Sequence, residues 1–305
     1  MADEFILHHY ETSPFSEKVR VVFGLKDLAW RSVQIPNIMP KPDLIPLTGG
    51  YRRTPEMQIG ADVFCDTQVI LAEIERRAPA PSMTDGLDWP VNFWADRLFF
   101  QATVPIIFGE LGEHVPEAFI KDREVLSGRP FDTAAMKAVS SPMRGQWRAQ
   151  AAWIENALAQ SEGPWLSGAT PGFADAAAYM NIWFLEGAIP AIASSLMQGF
   201  DRLRQWKGRI RGLGHGERTE MESSDALAIA KAASPANSAR HDPLDPLGLE
   251  PGAAVWVMAD DYGRDRIAGK LVAANPERIV IAREDPAVGR VDVHFPRTGY
   301  IAAAA

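Results

Sequence analysis

Phe5-Ile6-Leu7-His8-His9-Tyr10, a short turn, and then Ser13-Pro14-Phe15-Ser16 is the stretch that decides how this chain is read. The first six residues are apolar and aromatic enough to predict a strand. Pro14 suits the first position of a helix, because its missing N–H is not needed there and its φ is already helical. Ser13 then falls at the N-cap, where its side-chain oxygen accepts from an orphan backbone N–H. The hydroxyl keeps a proton of its own to donate, and it lies at the positive end of the helix. That combination suits an anion.

Working outward, residues 16–25 carry Val19, Val22 and Phe23 at helical spacing, and 30–35 predicts a second strand. Residues 36–53 are rich in proline and glycine and predict an irregular connection. Residues 56–59 and 63–65 flank Gly60-Ala61-Asp62 as a hairpin, and 66–77 predicts a helix with Val69, Ile70 and Ile74 on one face. The order is βαβ followed by ββα, with a right-handed crossover in the first half. Ala78-Pro79-Ala80-Pro81 reads as a linker.

Beyond it the period turns helical. Helices are predicted over 89–111 with a kink at Pro105, 116–126, 131–161 with an interruption at Ser141-Pro142, 173–189, 195–211 and 220–232. The 173–189 segment is apolar on all sides, as expected inside a bundle. Residues 234–249 form a proline-rich linker. Short strand-like runs at 254–258, 267–272, 279–282 and 291–295, separated by turn residues, predict a small antiparallel sheet or barrel. So small a unit buries little alone and is expected to lean on the helical domain.

With 305 residues, 47% hydrophobic and 23% charged, the chain is long enough for two or three cores. Its net charge of -8 argues against nonspecific nucleic-acid binding. No apolar run is long enough to cross a membrane. The acidic start Met1-Ala2-Asp3-Glu4 runs straight into a strand pattern, so no signal peptide is expected. A single cysteine, Cys65, excludes an internal disulfide and makes the cytoplasm the expected compartment. No paired Cys/His spacing suggests a metal site, and His8 and His9 are adjacent, so they point to opposite faces of a strand. Cys65 itself reads as a small buried apolar residue.

Ser13-Pro14-Phe15-Ser16 at the first helix, Arg53-Thr54-Pro55 before the third strand, and Asp66-Thr67 opening the next helix stand in this order ahead of a helical domain. The set resembles the glutathione transferase family over about residues 5–232. The resemblance implies a thioredoxin-like α/β domain (1–80), an all-α second domain (88–233) and an added small all-β C-terminal domain (250–301) outside the family pattern. It implies Ser13 as the catalytic hydroxyl of a serine-type transferase, with Tyr10 and Ser16 as rival hydroxyls. A free thiol has a pKa near 8.5, and lowering it by about two units takes about 2.7 kcal/mol. A hydrogen bond to a charged group supplies about 1.5–3 kcal/mol and a helix N-terminus about 0.3–1.

The same resemblance implies a cis peptide at Thr54-Pro55, whose backbone pairs with the cysteinyl part of glutathione. Asp66 would meet the γ-glutamyl ammonium, Thr67 its carboxylate, and Arg53 or Arg52 the glycyl carboxylate. Asp175 in Thr170-Pro171-Gly172-Phe173-Ala174-Asp175 matches a capping motif and is a folding signal. A second-substrate pocket between the domains has Phe15, Trp94, Phe108 and Trp183 as candidates. The implied protein is a cytoplasmic homodimeric detoxification enzyme that joins glutathione, its cosubstrate, to a hydrophobic electrophile with no metal. The alternatives are a non-catalytic binding or scaffold protein and another glutathione-dependent reaction (isomerase, dehalogenase or peroxidase).

Overall fold

Strand β1 (Phe5–His9) enters helix α1 (Pro14–Leu25) through a turn in which Ser13 N donates to Tyr10 O at 3.2 Å. The computed structural model describes residues 4–84, 86–236 and 239–305; Met1, Ala2 and Asp3 of the acidic start, and Asn237 and Ser238 of the predicted linker, lie outside them. Strand β2 (Ala29–Gln34) returns parallel to β1, and the short helix α2 (Ile45–Thr48) lies in the proline-rich connection. Strands β3 (Glu56–Ile59) and β4 (Asp62–Cys65) form the predicted hairpin, and α3 (Thr67–Arg77) follows. This is the thioredoxin-like unit.

Helix α4 (Asp88–Trp94) passes through one turn of π-helix at Ala95–Phe99 into α5 (Phe100–Leu111). The irregularity therefore falls at this π-turn, ahead of Pro105. Helices α6 (Glu117–Ser127), α7 (Thr133–Gln160), α8 (Phe173–Ala188), α9 (Pro190–Leu196) and α10 (Asp201–Leu213) complete the bundle. Helix α7 runs unbroken past Pro142, where an interruption was expected. Its partner α5 packs along it, and such burial outweighs the roughly 3 kcal/mol that an interior proline costs.

Residues 217–232 depart from the sequence reading. Strand β5 (Glu217–Glu220) joins β2 in parallel, and α11 (Ser223–Ala232) packs on the sheet face that holds α2, not in the bundle. Close backbone approach makes this possible. Gly216 has φ +70° and lies so near Leu28 that a Cβ would sit 2.3 Å from its carbonyl oxygen. Trp30 Nε1 donates to His215 O at 2.7 Å, pinning the segment.

Strands β6 (Ala254–Ala259), β7 (Ile267–Ala274), β8 (Arg278–Asp285) and β9 (Gly289–Pro296) form an antiparallel meander, and β10 (Tyr300–Ala304) pairs outside β6. Only the turn at 297–299 joins β9 to β10, although they stand at opposite ends of the local order β10-β6-β7-β8-β9. Four strand spacings would need about 19 Å, and the connection reaches about 14 Å. The meander must therefore curl, as a barrel does. It leans on the helical domain as expected, where Arg97 meets Asp260 and Gly263 N donates to Leu126 O, but it is also joined to the α/β sheet. Strand β9 pairs in parallel with β4, giving one ten-stranded sheet in the order β10-β6-β7-β8-β9-β4-β3-β1-β2-β5. Asp62 and His294 join across this seam at 2.8 Å, and the His294 ring stacks on Phe64 at 4.4 Å. Val291, Val293 and Phe295 enter the core beneath α2 and α11, while the other sheet face packs on α1, α3 and the helical bundle.

Candidate functional site

Ser13 caps α1 as the sequence predicts: its backbone is extended (φ -77°, ψ 120°) and its Oγ accepts from Ser16 N at 3.2 Å. It is buried, and it lines a cavity of about 480 Å³ between the α/β unit and the bundle. The far wall is aromatic: Phe100, Phe108, Phe119, Phe131 and Phe184 come from α5, α6, α8 and the loop before α7. Phe108 packs edge-on to Phe131 at 4.9 Å and stacks on Phe119 at 5.6 Å. Polar groups converge at the near wall, among them Tyr10, Lys41, Arg52 and Arg123. Of the four aromatic candidates, Phe15 and Phe108 line this space. Trp94 and Trp183 do not. Trp94 stacks on Phe99 at 5.1 Å and donates to Gln150, and Trp183 packs against the core under Arg20.

Among the rival hydroxyls, Tyr10 lines the cavity and burial pushes its pKa up. Ser16 is fully buried, with its Oγ unpartnered among the described residues and outside the cavity lining. Cys65 is wholly buried, and burial holds its thiol well above the usual range, so it offers no thiolate.

The Thr54–Pro55 peptide is cis. Thr54 Oγ1 accepts from Lys41 Nζ at 2.7 Å. Pro55, Asp66 and Thr67 line a second, adjoining pocket, and Phe15, Arg53, Thr54 and Tyr262 line both. Asp66 caps α3, accepting from Gln68 N at 2.9 Å through Oδ1, at an unusual backbone φ of 89°. The two arginines part company here. Arg52 is held by Asp122 of α6 at 2.8 Å, whereas Arg53 turns toward Asp66, with 3.9 Å between Nη1 and Oδ2.

The second pocket is nearly full. About 40 Å³ remains, room for a few waters at most. The loop after β6 fills it. The Arg53 guanidinium lies 4.0 Å from the centroid of the Tyr262 ring, donates through Nε to Tyr262 O at 3.1 Å, and pairs with the Asp261 carboxylate. Burial raises the Tyr262 phenol to about 12, against the opposing pull of Arg53. Asp261 also meets Arg97 at 3.3 Å, and Gly263 N donates to Leu126 O at 2.7 Å. From the other side Tyr300 donates its hydroxyl to Asp66 Oδ2 at 3.0 Å, and the Tyr51 and Tyr300 hydroxyls are 2.6 Å apart. The sequence reading named Arg53 and Asp66 but missed Tyr51, Arg97, Asp261, Tyr262 and Tyr300. Asp260-Asp261-Tyr262-Gly263 reads only as a turn, and nothing in it signals contact with Arg53 some two hundred positions earlier.

Comparison with known proteins bears on the fold and the family. Residues 7–82 match the model for "Glutathione S-transferase, N-terminal domain" and residues 91–206 that for "Glutathione S-transferase, C-terminal domain". Among solved structures, a GST-like protein from Pseudomonas syringae is 33% identical, with each chain covered in full and a TM-score of 0.82. FzlA from C. crescentus is 23% identical over 68% of this chain and 88% of its own, with a TM-score of 0.52. A glutathione S-transferase from Methylobacterium radiotolerans, solved in complex with glutathione sulfonate, is 16% identical over 72% and 97%, with a TM-score of 0.51. No curated protein matches the sequence. The likeness to the Pseudomonas protein takes in the C-terminal β unit, whereas the other two leave about a quarter to a third of the chain unmatched.

Proposed function

Since the chain belongs to the glutathione S-transferase family, we propose that it is a glutathione transferase, joining the tripeptide thiol to a hydrophobic electrophile. The observation that carries this reading is the position of Ser13, a helix-capping hydroxyl on the wall of a largely apolar cavity that it shares with Thr54 and Arg53. The sulfur would lie at the seam between the two pockets. Ser13 Oγ–H would donate to it, and the N-terminus of α1 would add its field. The thiol proton leaves to solvent. The sulfur then forms a bond to carbon, and the electrophile's leaving group departs with its electron pair. Proximity to an electrophile held among Phe100, Phe108 and Phe184 supplies the rest.

Thr54 and the cis Pro55 would align the cysteinyl backbone. Asp66 and Thr67 would take the ammonium and carboxylate of the γ-glutamyl end, with Arg53 as the nearby cation. We further propose a cytoplasmic detoxification enzyme acting as a homodimer; Trp153 (59% exposed) on α7 and Leu98 (58%) on the π-turn are large apolar groups such an assembly could cover.

The test is turnover of an activated aryl halide at several millimolar glutathione, for the parent and Ser13→Ala. Losing one to two pKa units of thiolate stabilisation predicts about a 10–100-fold fall in rate near neutral pH, with little change in KM for glutathione. An inactive parent, or an alanine variant as fast as the parent, overturns the proposal. The second reading, a non-catalytic binding protein, is favoured by the smallness of the second pocket. It predicts calorimetric heat for apolar ligands alone and none for glutathione at any concentration.

A further inference from the structure

We infer that the C-terminal β unit occupies the tripeptide site of its own chain: the Asp261–Tyr262 loop stands where the γ-glutamyl end would lie, and glutathione enters only when that loop is displaced. The inference rests on the transferase reading above. An α-amino-acid end group needs an anion for its ammonium, donors for its carboxylate, and space. Asp66 could supply the first, but its Oδ2 already accepts from Tyr300 at 3.0 Å and its Oδ1 from Gln68 N at 2.9 Å. Arg53 could steady a carboxylate, but the Asp261 carboxylate and the Tyr262 carbonyl already hold it. Space is the decisive shortage, because about 40 Å³ cannot take a group of nine heavy atoms.

The occupant is built in. Arg53 stacks on the Tyr262 ring at 4.0 Å, Arg97 grips both Asp260 at 2.6 Å and Asp261 at 3.3 Å, and Gly263 N is bonded to Leu126 O of α6. Each contact copies one that a ligand would make: a carboxylate on a guanidinium, a carbonyl on the same guanidinium, a donor on Asp66. The cavity beside Ser13 stays open throughout. The electrophile side is therefore free while the γ-glutamyl end of the tripeptide site is closed, and the β unit sets the concentration at which glutathione is taken.

Calorimetric titration of glutathione into the full chain, the Tyr262→Gly variant and the milder Asp261→Asn variant tests this, with circular dichroism checking that each is folded. The expected result is weak binding by the parent and at least tenfold tighter binding by Tyr262→Gly, with Asp261→Asn between them. In the parent at saturating glutathione, the Gly263 amide should exchange faster with deuterium, having lost Leu126 O. Equal binding by all three proteins, or a Gly263 amide that stays protected while glutathione is bound, overturns the inference and leaves the transferase reading standing. Absence of binding even in a folded Tyr262→Gly variant overturns both.

Discussion

Replacing Asp175 with alanine removes one carboxylate that holds three separate segments together. Oδ1 accepts from Leu166 N at 2.8 Å and from Trp206 Nε1 at 2.6 Å, and Oδ2 accepts from Gly172 N at 2.9 Å. The group is fully buried at the first turn of α8. Hydrogen bonds to a charged acceptor are worth about 1.5–3 kcal/mol each, and a buried donor left alone costs about 1–3 kcal/mol. The three bonds share one acceptor and are not additive, and loss of the helix-end contact alone costs about 0.5–2 kcal/mol. The expected destabilisation is about 4 kcal/mol for Asp175→Ala. Asp175→Asn keeps one neutral oxygen and sets an NH₂ against the other donors, so about half that loss is expected. Urea unfolding followed by tryptophan fluorescence measures it, as a lower midpoint with an unchanged slope. An alanine variant within about 1 kcal/mol of the parent would refute the claim that this carboxylate organises the bundle.

A second perturbation concerns pH. Glu56 is completely buried, neither carboxylate oxygen has a hydrogen-bond partner among the described residues, and burial raises its pKa to about 8 against the pull of the buried Lys41. A carboxyl whose pKa rises on folding lends stability that is full below about 4.5 and is lost as pH climbs through about 8. The stability of the parent relative to Glu56→Gln should therefore fall across that window, by at most about 1.4 kcal/mol per pH unit, and parallel denaturation midpoints at pH 5, 6.5 and 8 would contradict it. For the assembly, sedimentation at micromolar concentration should give a dimer, and a monomer would remove that part of the proposal.

The sequence made the α/β unit legible because strand and helix periods alternate there with clear punctuation; Ser13 and Asp66 carry local capping signatures, whereas the cis bond at Thr54–Pro55 follows only from the family resemblance. What it hid has physical reasons. Strand β5, Glu217-Arg218-Thr219-Glu220, is polar throughout because it is the outer edge of the sheet, where charged side chains also discourage pairing with other chains. Strand β10, Tyr300-Ile301-Ala302-Ala303-Ala304, has alanine where strand propensity would favour branched residues, and its pairing with β6 decides the outcome. The pairing of β4 with β9 joins residues about 230 positions apart and leaves no periodic trace. Helical spacing identified Trp94 and Trp183 as large apolar groups but could not say which face meets the cavity.

That parallel pairing also explains why the β unit reaches the site at all. Strand β9 runs alongside β4 with Phe64 opposite His294, so the two strands end together, and the turn leaving β9 arrives beside Asp66. Three residues later Tyr300 stands over the α3 N-terminus, and Gln68 Nε2 donates to Thr298 O at 3.3 Å. Strand β10 then pairs antiparallel with β6, placing Tyr300 opposite Ala259. The loop that follows Ala259 therefore emerges at this same end, carrying Asp261 and Tyr262 to Arg53. An antiparallel junction with β4 would have sent both loops to the far end of the sheet. In open α/β sheets ligands lie beyond the carboxyl ends of the strands. A β unit added in parallel at β4 thus delivers two of its loops to the region where the tripeptide would bind.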